Sequence, residues 1–333
     1  MRTDGHLQSF LAPRDFAADT RERIDRLNEE LSTERNFDTG RALSSDFSAY
    51  SRVSHDLRTF QAREDALSRA TTWMDVAQVS LGFVDAVGTR LAEALTSGLT
   101  GNDPGPIATL GATGKGALSD VVNALSKAES GRAVFANGDT SGDPPFDLDV
   151  MLIETTALAQ SATDVASLLQ AFDAYFAQGG GVETNAMSNF PGQSMQFPIG
   201  QGKALTIQVN AGDVAIREAV KQAALVSALP STGFSLSPTD RQSLAQELPR
   251  RSVAAAAKLA ELRGGLGSVE ARADLLSEQM SHEETQLKIR RSDAVRADPL
   301  EVANRLQNEM SRLETLYAVT ARRSRLRLMD YLR

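Results

Sequence analysis

Apolar residues recur along this chain with two different periods. At Ala70, Met74, Ala77, Leu81, Val84, Gly88, Leu91 and Leu95 the apolar or small positions are spaced alternately four and three, which places them on one stripe of a helix. The same spacing returns toward the other end at Leu262, Leu266, Val269, Ala273, Leu276, Met280, Glu283 and Leu287, with only Glu283 out of character. Shorter runs accompany these seams: Ile24, Leu27 and Leu31; then Tyr50, Val53, Leu57 and Phe60; and finally Leu306, Met310, Leu313 and Tyr317. A single stripe of this kind also describes an ordinary core face. Two seams of matched length at opposite ends of the chain, with charged residues between the apolar ones, predict helical arms that pair.

The middle of the chain changes period. Met195, Phe197 and Ile199 alternate with polar residues, and Leu205, Ile207 and Val209 do so again after Gly200–Lys203, so Ser194 to Asn210 reads as a β-hairpin. Before it, Leu148, Leu152, Ala159, Ala162, Ala166, Leu169, Phe172 and Phe176 share one face of a predicted helix that ends at Gly179, Gly180 and Gly181. The expected fold is therefore mainly α: a long antiparallel helical coiled-coil bundle from both chain ends with an inserted small α+β module. Its expected parts are an N-terminal helical arm (1–133), the insert (134–216), and a C-terminal helical arm (217–333) that packs on the first.

Charge follows the same division. The 333 residues carry 35 Lys and Arg against 43 Asp and Glu, a net charge of −8. From Val134 to Ile216 there is one base, Lys203, against nine acids, so this segment alone carries −8 and the flanks hold 34 of each sign. Dense charge of both signs suits the solvent side of bundled helices, and a sparse acidic middle suits a separately exposed module.

Composition removes several kinds of chemistry. The absence of cysteine excludes disulfides, a thiolate nucleophile and cysteine metal sites. With only His6, His55 and His282, a histidine-rich metal site is hard to build. No window approaches eighteen uninterrupted apolar residues, so neither a cleaved secretory signal nor a membrane span is expected. "TLGATGKGA" has Thr109 where a phosphate loop needs its first glycine and Gly116 where it needs Ser or Thr, so it reads as a flexible loop. "HEETQ" offers Gln286 where a zinc-protease helix needs its second histidine. Asp147 and Asp149 read as solvated carboxylates of an acidic module. No catalytic, cofactor-binding or metal-ligating residues are expected, and the chain is not expected to be an enzyme.

At the C-terminus, "ARRSRLRLMDYLR" interleaves arginines with Leu326, Leu328, Met329 and Leu332. In a chain of pI near 5.1 this fits a basic amphipathic helix for a protein partner better than a phosphate track, and no nucleic-acid partner is expected.

The order of these elements resembles the bacterial flagellin family. "RIDRLNEELSTERNFDTGRALSSDFSAYSRVSHDLRTF" and the seam after it look like the family's paired N-terminal helices, joined by a loop near Thr39 to Asp46. "LAELRGGLGSVEARADLLSEQM" looks like its returning helix, "RRSDAVRADPLEVANRL" like its Asp-containing elbow, and "RLMDYL" like its closing residues. "GRAVFANGDTSGDPPF" is similar to a segment of the hook-associated members found at the hook–filament junction, where the chain leaves the helical domain for its outer module. Phe135 and Phe146 would anchor that turn, with Asn137 and Gly138 supplying backbone freedom. The resemblance implies a structural subunit of the flagellum, secreted unfolded through the flagellar type III channel to the extracellular filament base. It implies a homo-oligomer in a flagellar ring, with a neighbouring hook-associated protein, flagellin and an export chaperone as partners. The seams would be helical assembly surfaces and the tail residues an interface.

Overall fold

The computed structural model describes residues 4–38, 40, 43, 47–99, 105–136, 143–188, 194–200 and 202–331. The side chains of residues 4–14, 105, 106, 323, 324 and 326–331 lie outside that description. The protein is mainly helical, with long helices and two small two-stranded sheets. In chain order the elements are α1 (Asp4–Thr33), α2 (Phe47–Gly98), α3 (Gly105–Leu125), β1 (Ala128–Glu129), β2 (Arg132–Ala133), α4 (Leu148–Ser161) and α5 (Val165–Tyr175). A π-helical turn (Val182–Ala186), β3 (Met195–Gly200), β4 (Lys203–Ile207), α6 (Val214–Ala228), a 3-10 turn (Leu229–Ser231), α7 (Pro238–Ala294) and α8 (Pro299–Tyr331) follow. The chain divides into two compact units, one formed by residues 1–61 and 280–333, the other by residues 62–279.

In the first unit the two ends of the chain pair. Asn36 N–H donates to the Val295 carbonyl at 3.0 Å and Ala297 N–H to that of Glu34 at 2.9 Å. Farther along, Arg23 lies 3.9 Å from Glu309, and the Arg21 guanidinium donates to the Tyr317 hydroxyl and sits 5.7 Å from its ring centre. Partners whose numbers rise on one helix and fall on the other make α1 and α8 antiparallel. α1 stops where Glu34 takes a left-handed φ of 52°, and α8 starts at Asp298, whose carboxylate accepts from Leu300 N–H at 2.9 Å. The predicted joining loop near Thr39 to Asp46 falls almost wholly outside the described residues.

The second unit is built around α6. Residues Ala215, Ile216, Arg217, Val220–Val226 and Ala228 of this helix are all buried, because α3, α4 and α5 each pack against it. Burial on every side is possible because its residues are mostly Ala and Val, and because α3 offers glycines at the contact. A Cβ added to Gly114 would stand 2.4 Å from the Ser227 nitrogen, and one added to Gly111 would stand 2.2 Å from the Pro230 ring. The stretch read as a flexible phosphate-loop imitation is thus the interior of α3. Its glycines serve helix-to-helix approach, and Lys115 points to solvent. The expected boundary at residue 216 falls inside α6, so 134–216 shares one core with 62–133 and 217–279.

Two further expectations are refined. The single helix expected from Leu148 to Phe176 is two helices, since Asp164 accepts from Ser167 N–H at 2.7 Å while Ser167 Oγ accepts from Asp164 N–H at 3.1 Å. This reciprocal cap begins a new helix and overrides the apolar period running through it. The hairpin forms as expected, with Phe197, Ile199, Leu205 and Ile207 buried. It is fixed to α2 by Trp73, edge-on to Phe197 at 6.4 Å, and by Arg63 Nε, which donates to the Ile199 carbonyl at 2.9 Å.

Candidate assembly interface

The residues singled out from sequence separate into spent and unspent surfaces. Ala70, Met74, Ala77, Leu81, Val84, Leu91 and Leu95 are all buried inside the second unit, where α7 runs antiparallel beside α2. Gln78 Nε2 donates to the Arg263 carbonyl at 3.1 Å and Arg263 lies 3.9 Å from Asp85. On α7, Leu266, Ala273, Met280 and Leu287 are buried. Leu262, Val269 and Leu276 are half-buried. The first seam is therefore consumed by the chain's own core. His282 is exposed on α7, and Asp147, read as merely solvated, caps α4 by accepting from Asp149 and Val150 N–H, both at 3.0 Å.

Phe135 and Phe146 are fully buried, while Asn137 and Gly138 lie outside the described residues. After α3 ends at Leu125 the chain enters a hairpin, in which Ser130 and Gly131 take φ values of 52° and 77° and close β1–β2 in a two-residue turn of the kind that demands left-handed backbone. Ala211 N–H then donates to the Phe135 carbonyl at 2.9 Å, tying the turn to the segment that enters α6.

Unspent apolar surface lies in both units. On the α1–α8 pair, Phe16, Leu31, Met310, Tyr317 and Val319 are exposed, and a shallow groove of about 220 Å³ runs between Ile24, Met310 and Leu313. In the second unit a groove of about 520 Å³ between α2 and α3 is floored by Val76, Val79, Phe83 and Ala124, with Asp75 and Asp120 beside it. The tail residues Leu326, Leu328 and Met329 belong to α8, but their side chains, and Leu332 entirely, lie outside the described residues.

Sequence reading missed a cluster of charges drawn from α5, the π-helical turn, α6 and α7. Glu183 and Arg217 form a buried ion pair at 2.6 Å, and the second Glu183 oxygen accepts from Gly179 N–H at 2.6 Å. Nearby, Asp173 accepts from Lys221 at 2.8 Å and from Arg251 at 2.8 and 3.0 Å. Burial alone would raise the Asp173 carboxyl, but Lys221 and Arg251 outweigh it and hold the group below the usual carboxylate range. Burial would likewise lower Arg251, and Asp173 with Glu247 raise it instead. Tyr175 is pushed up by burial and then by the Glu154 carboxylate. Each of these shifts favours the ordinary charge state of its group, and the ion pairs clamp α5, α6 and α7 together. The advance signal was the polar set Arg217, Glu218, Lys221 and Gln222, set at three- and four-residue spacing among the Ala, Val, Ile and Leu of α6.

Among the described residues no group of three or more His, Cys, Asp or Glu is arranged to hold a metal ion, and no helix is long and apolar enough to cross a membrane. No protein-family model and no curated protein matches this chain. A solved structure does: that of a "putative flagellar hook-associated protein" from Vibrio parahaemolyticus, with a TM-score of 0.51 over 75% of this chain and 99% of that one, at 10% identity. At that identity the two proteins share a fold.

Proposed function

We propose that this chain is a structural subunit of the bacterial flagellum, a hook-associated protein of the junction between hook and filament, and not an enzyme. The observation that carries the reading is the antiparallel pairing of the two chain ends, α1 with α8, in a unit of their own. The fold likeness to the Vibrio parahaemolyticus protein, over 75% of this chain, supports the same reading. In this reading the subunit is exported unfolded and assembles as a ring between hook-associated and flagellin neighbours. The basic amphipathic end of α8 docks on partners, the export chaperone among them. The exposed apolar residues of the α1–α8 pair support this, since apolar surface left in water is what an assembly contact covers.

A deletion strain tests the proposal: cells lacking the chain should build hooks and shed flagellin. Normal swimming with attached filaments would refute it and favour a coiled-coil binding protein unrelated to motility. Filament flagellin is the nearer rival, because the resemblance of the two chain ends is common to the whole family. Purified protein should not elongate seeded filaments, and robust elongation would move the assignment to flagellin.

A further inference from the structure

One polar side chain in the second unit is buried without a protein partner and faces a cavity. Gln222, on α6, is 4% exposed, and neither its Oε1 nor its Nε2 has a hydrogen-bond partner in the protein. It lines a cavity of about 30 Å³ between α2, α3, α6 and α7, open on one side, whose other walls include Val84, Gly88, Val121, Ser252 and Leu259. An amide removed from water with neither bond replaced is one of the more costly things a core can contain.

The cavity exists because α2 carries glycine where its seam calls for a larger residue. A Cβ built on Gly88 would meet nothing within 4 Å. Across from it, Ser252 Oγ donates to the Leu248 carbonyl at 3.0 Å, which leaves the oxygen's lone pairs able to accept. Asp85, at the cavity edge, is 41% exposed at its side chain and leads outward to solvent. The space therefore has two donors and an acceptor on Gln222, an acceptor on Ser252 and a carboxylate at its mouth.

We propose that this cavity is a built hydration site, in which water held by the Gln222 amide bridges α6 to Ser252 on α7 and onward to Asp85 on α2. Size decides the ligand class. About 30 Å³ is roughly two to three times the ~10–15 Å³ that a single water requires, and far below what an organic ligand needs. Gly88 is then the residue that makes room for solvent, and Gln222 the residue that uses it.

The test is a thermal-denaturation cycle on the full chain with Gly88→Ala, Gln222→Met and the double variant. Alanine outranks glycine in a helix, so Gly88→Ala should raise the melting temperature if the space is dry. With water displaced from a polar amide it should instead lower it, by on the order of 2–4 °C. In the Gln222→Met background, where no amide is stranded, the same change should raise it. A shift of the same sign and size in both backgrounds overturns the proposal. Magnetic relaxation dispersion of water provides the second readout. Wild type should show long-lived internal water that the double variant loses, and an unchanged dispersion would also overturn it.

Discussion

Two glycines of α3, two residues apart, should respond oppositely to the same substitution. A Cβ at Gly114 would approach the Ser227 nitrogen to 2.4 Å and the Val226 carbonyl carbon to 2.7 Å, while one at Gly116 would meet nothing within 4 Å. Ordinary contacts begin near 3.4 Å, so Gly114→Ala must part α3 from α6 by about 3.4 − 2.4 = 1.0 Å. The obstacle is backbone and cannot rotate away. Overpacking of this kind costs about 1–3 kcal/mol, against the roughly 1 kcal/mol that Ala gains over Gly in a helix. Gly116→Ala collects the helical gain alone. The difference between the two variants cancels propensity and isolates the close approach, and it should be about 1–3 kcal/mol in favour of Gly116→Ala.

Trp73 provides the assay. It is the only tryptophan in the chain, it is buried in the second unit, and its edge contact with Phe197 is lost on unfolding. Urea denaturation followed by its fluorescence therefore reports the unit that contains both glycines, whatever the other unit does. Equal midpoints for the two variants, at equal slope, would show that α3 does not approach α6 as closely as described and would remove the explanation given for the glycines.

Three other outcomes follow from the geometry. Glu183→Gln should cost about 3–5 kcal/mol in the same assay by leaving Arg217 buried and unneutralised, and Glu183→Gln with Arg217→Met should recover much of it. Because the folded pKa of Asp173 is depressed, its stabilisation is fully present above the unfolded value of about 3.9 and is lost as pH falls through the lower folded value. The stability gap between wild type and Asp173→Asn should accordingly be flat from pH 7 to about 5 and close only below about 4. A gap that closes near pH 6 would refute the assignment. Ser130→Asn should raise the denaturation midpoint slightly, since asparagine tolerates the left-handed turn position better than serine; a loss would mean that the side chain is needed for something else.

What the sequence revealed depended on whether a residue's reason was local. The β3–β4 hairpin was legible because alternation and a glycine turn are both properties of neighbours in the chain, and the seams of α2 and α7 because helical spacing is. Asp164 and Ser167 stood in plain view as a cap, but the apolar period running across them was given more weight. Gly111, Gly114 and Gly116 read as loop because the reason for two of them is the approach of α6, more than a hundred residues away. The charged cluster was hidden for the same cause: Asp173, Glu183, Arg217 and Arg251 acquire meaning only when four elements converge. For the candidate assembly residues, helical spacing was legible in the chain and burial was not. Burial is a property of the folded chain.

The two units differ in how far they can satisfy themselves, and this bears on where association falls. The second unit encloses a helix on all sides and spends the whole α2 seam internally, so a change such as Leu81→Ala should be felt as lost folding stability whether or not other copies are present. The α1–α8 pair leaves Phe16, Leu31, Met310, Tyr317 and Val319 exposed. Its contact face on α1 reads Thr20, Ile24, Leu27 and Glu30, and only Thr20 among them is buried; Met310 and Tyr317 remain largely in water. A two-stranded pair with so thin a seam is marginal in water, and any partner that covers its exposed apolar residues stabilises it by mass action. Melting of the first unit should therefore rise with protein concentration or with an added partner, while the Trp73-reported transition of the second does not. Serine at Met310 and Tyr317 should erase that concentration dependence and leave the Trp73 transition where it was. If the two transitions instead move together, the ends of the chain are not the associating surface, and the exposed groove between α2 and α3 takes their place as the candidate.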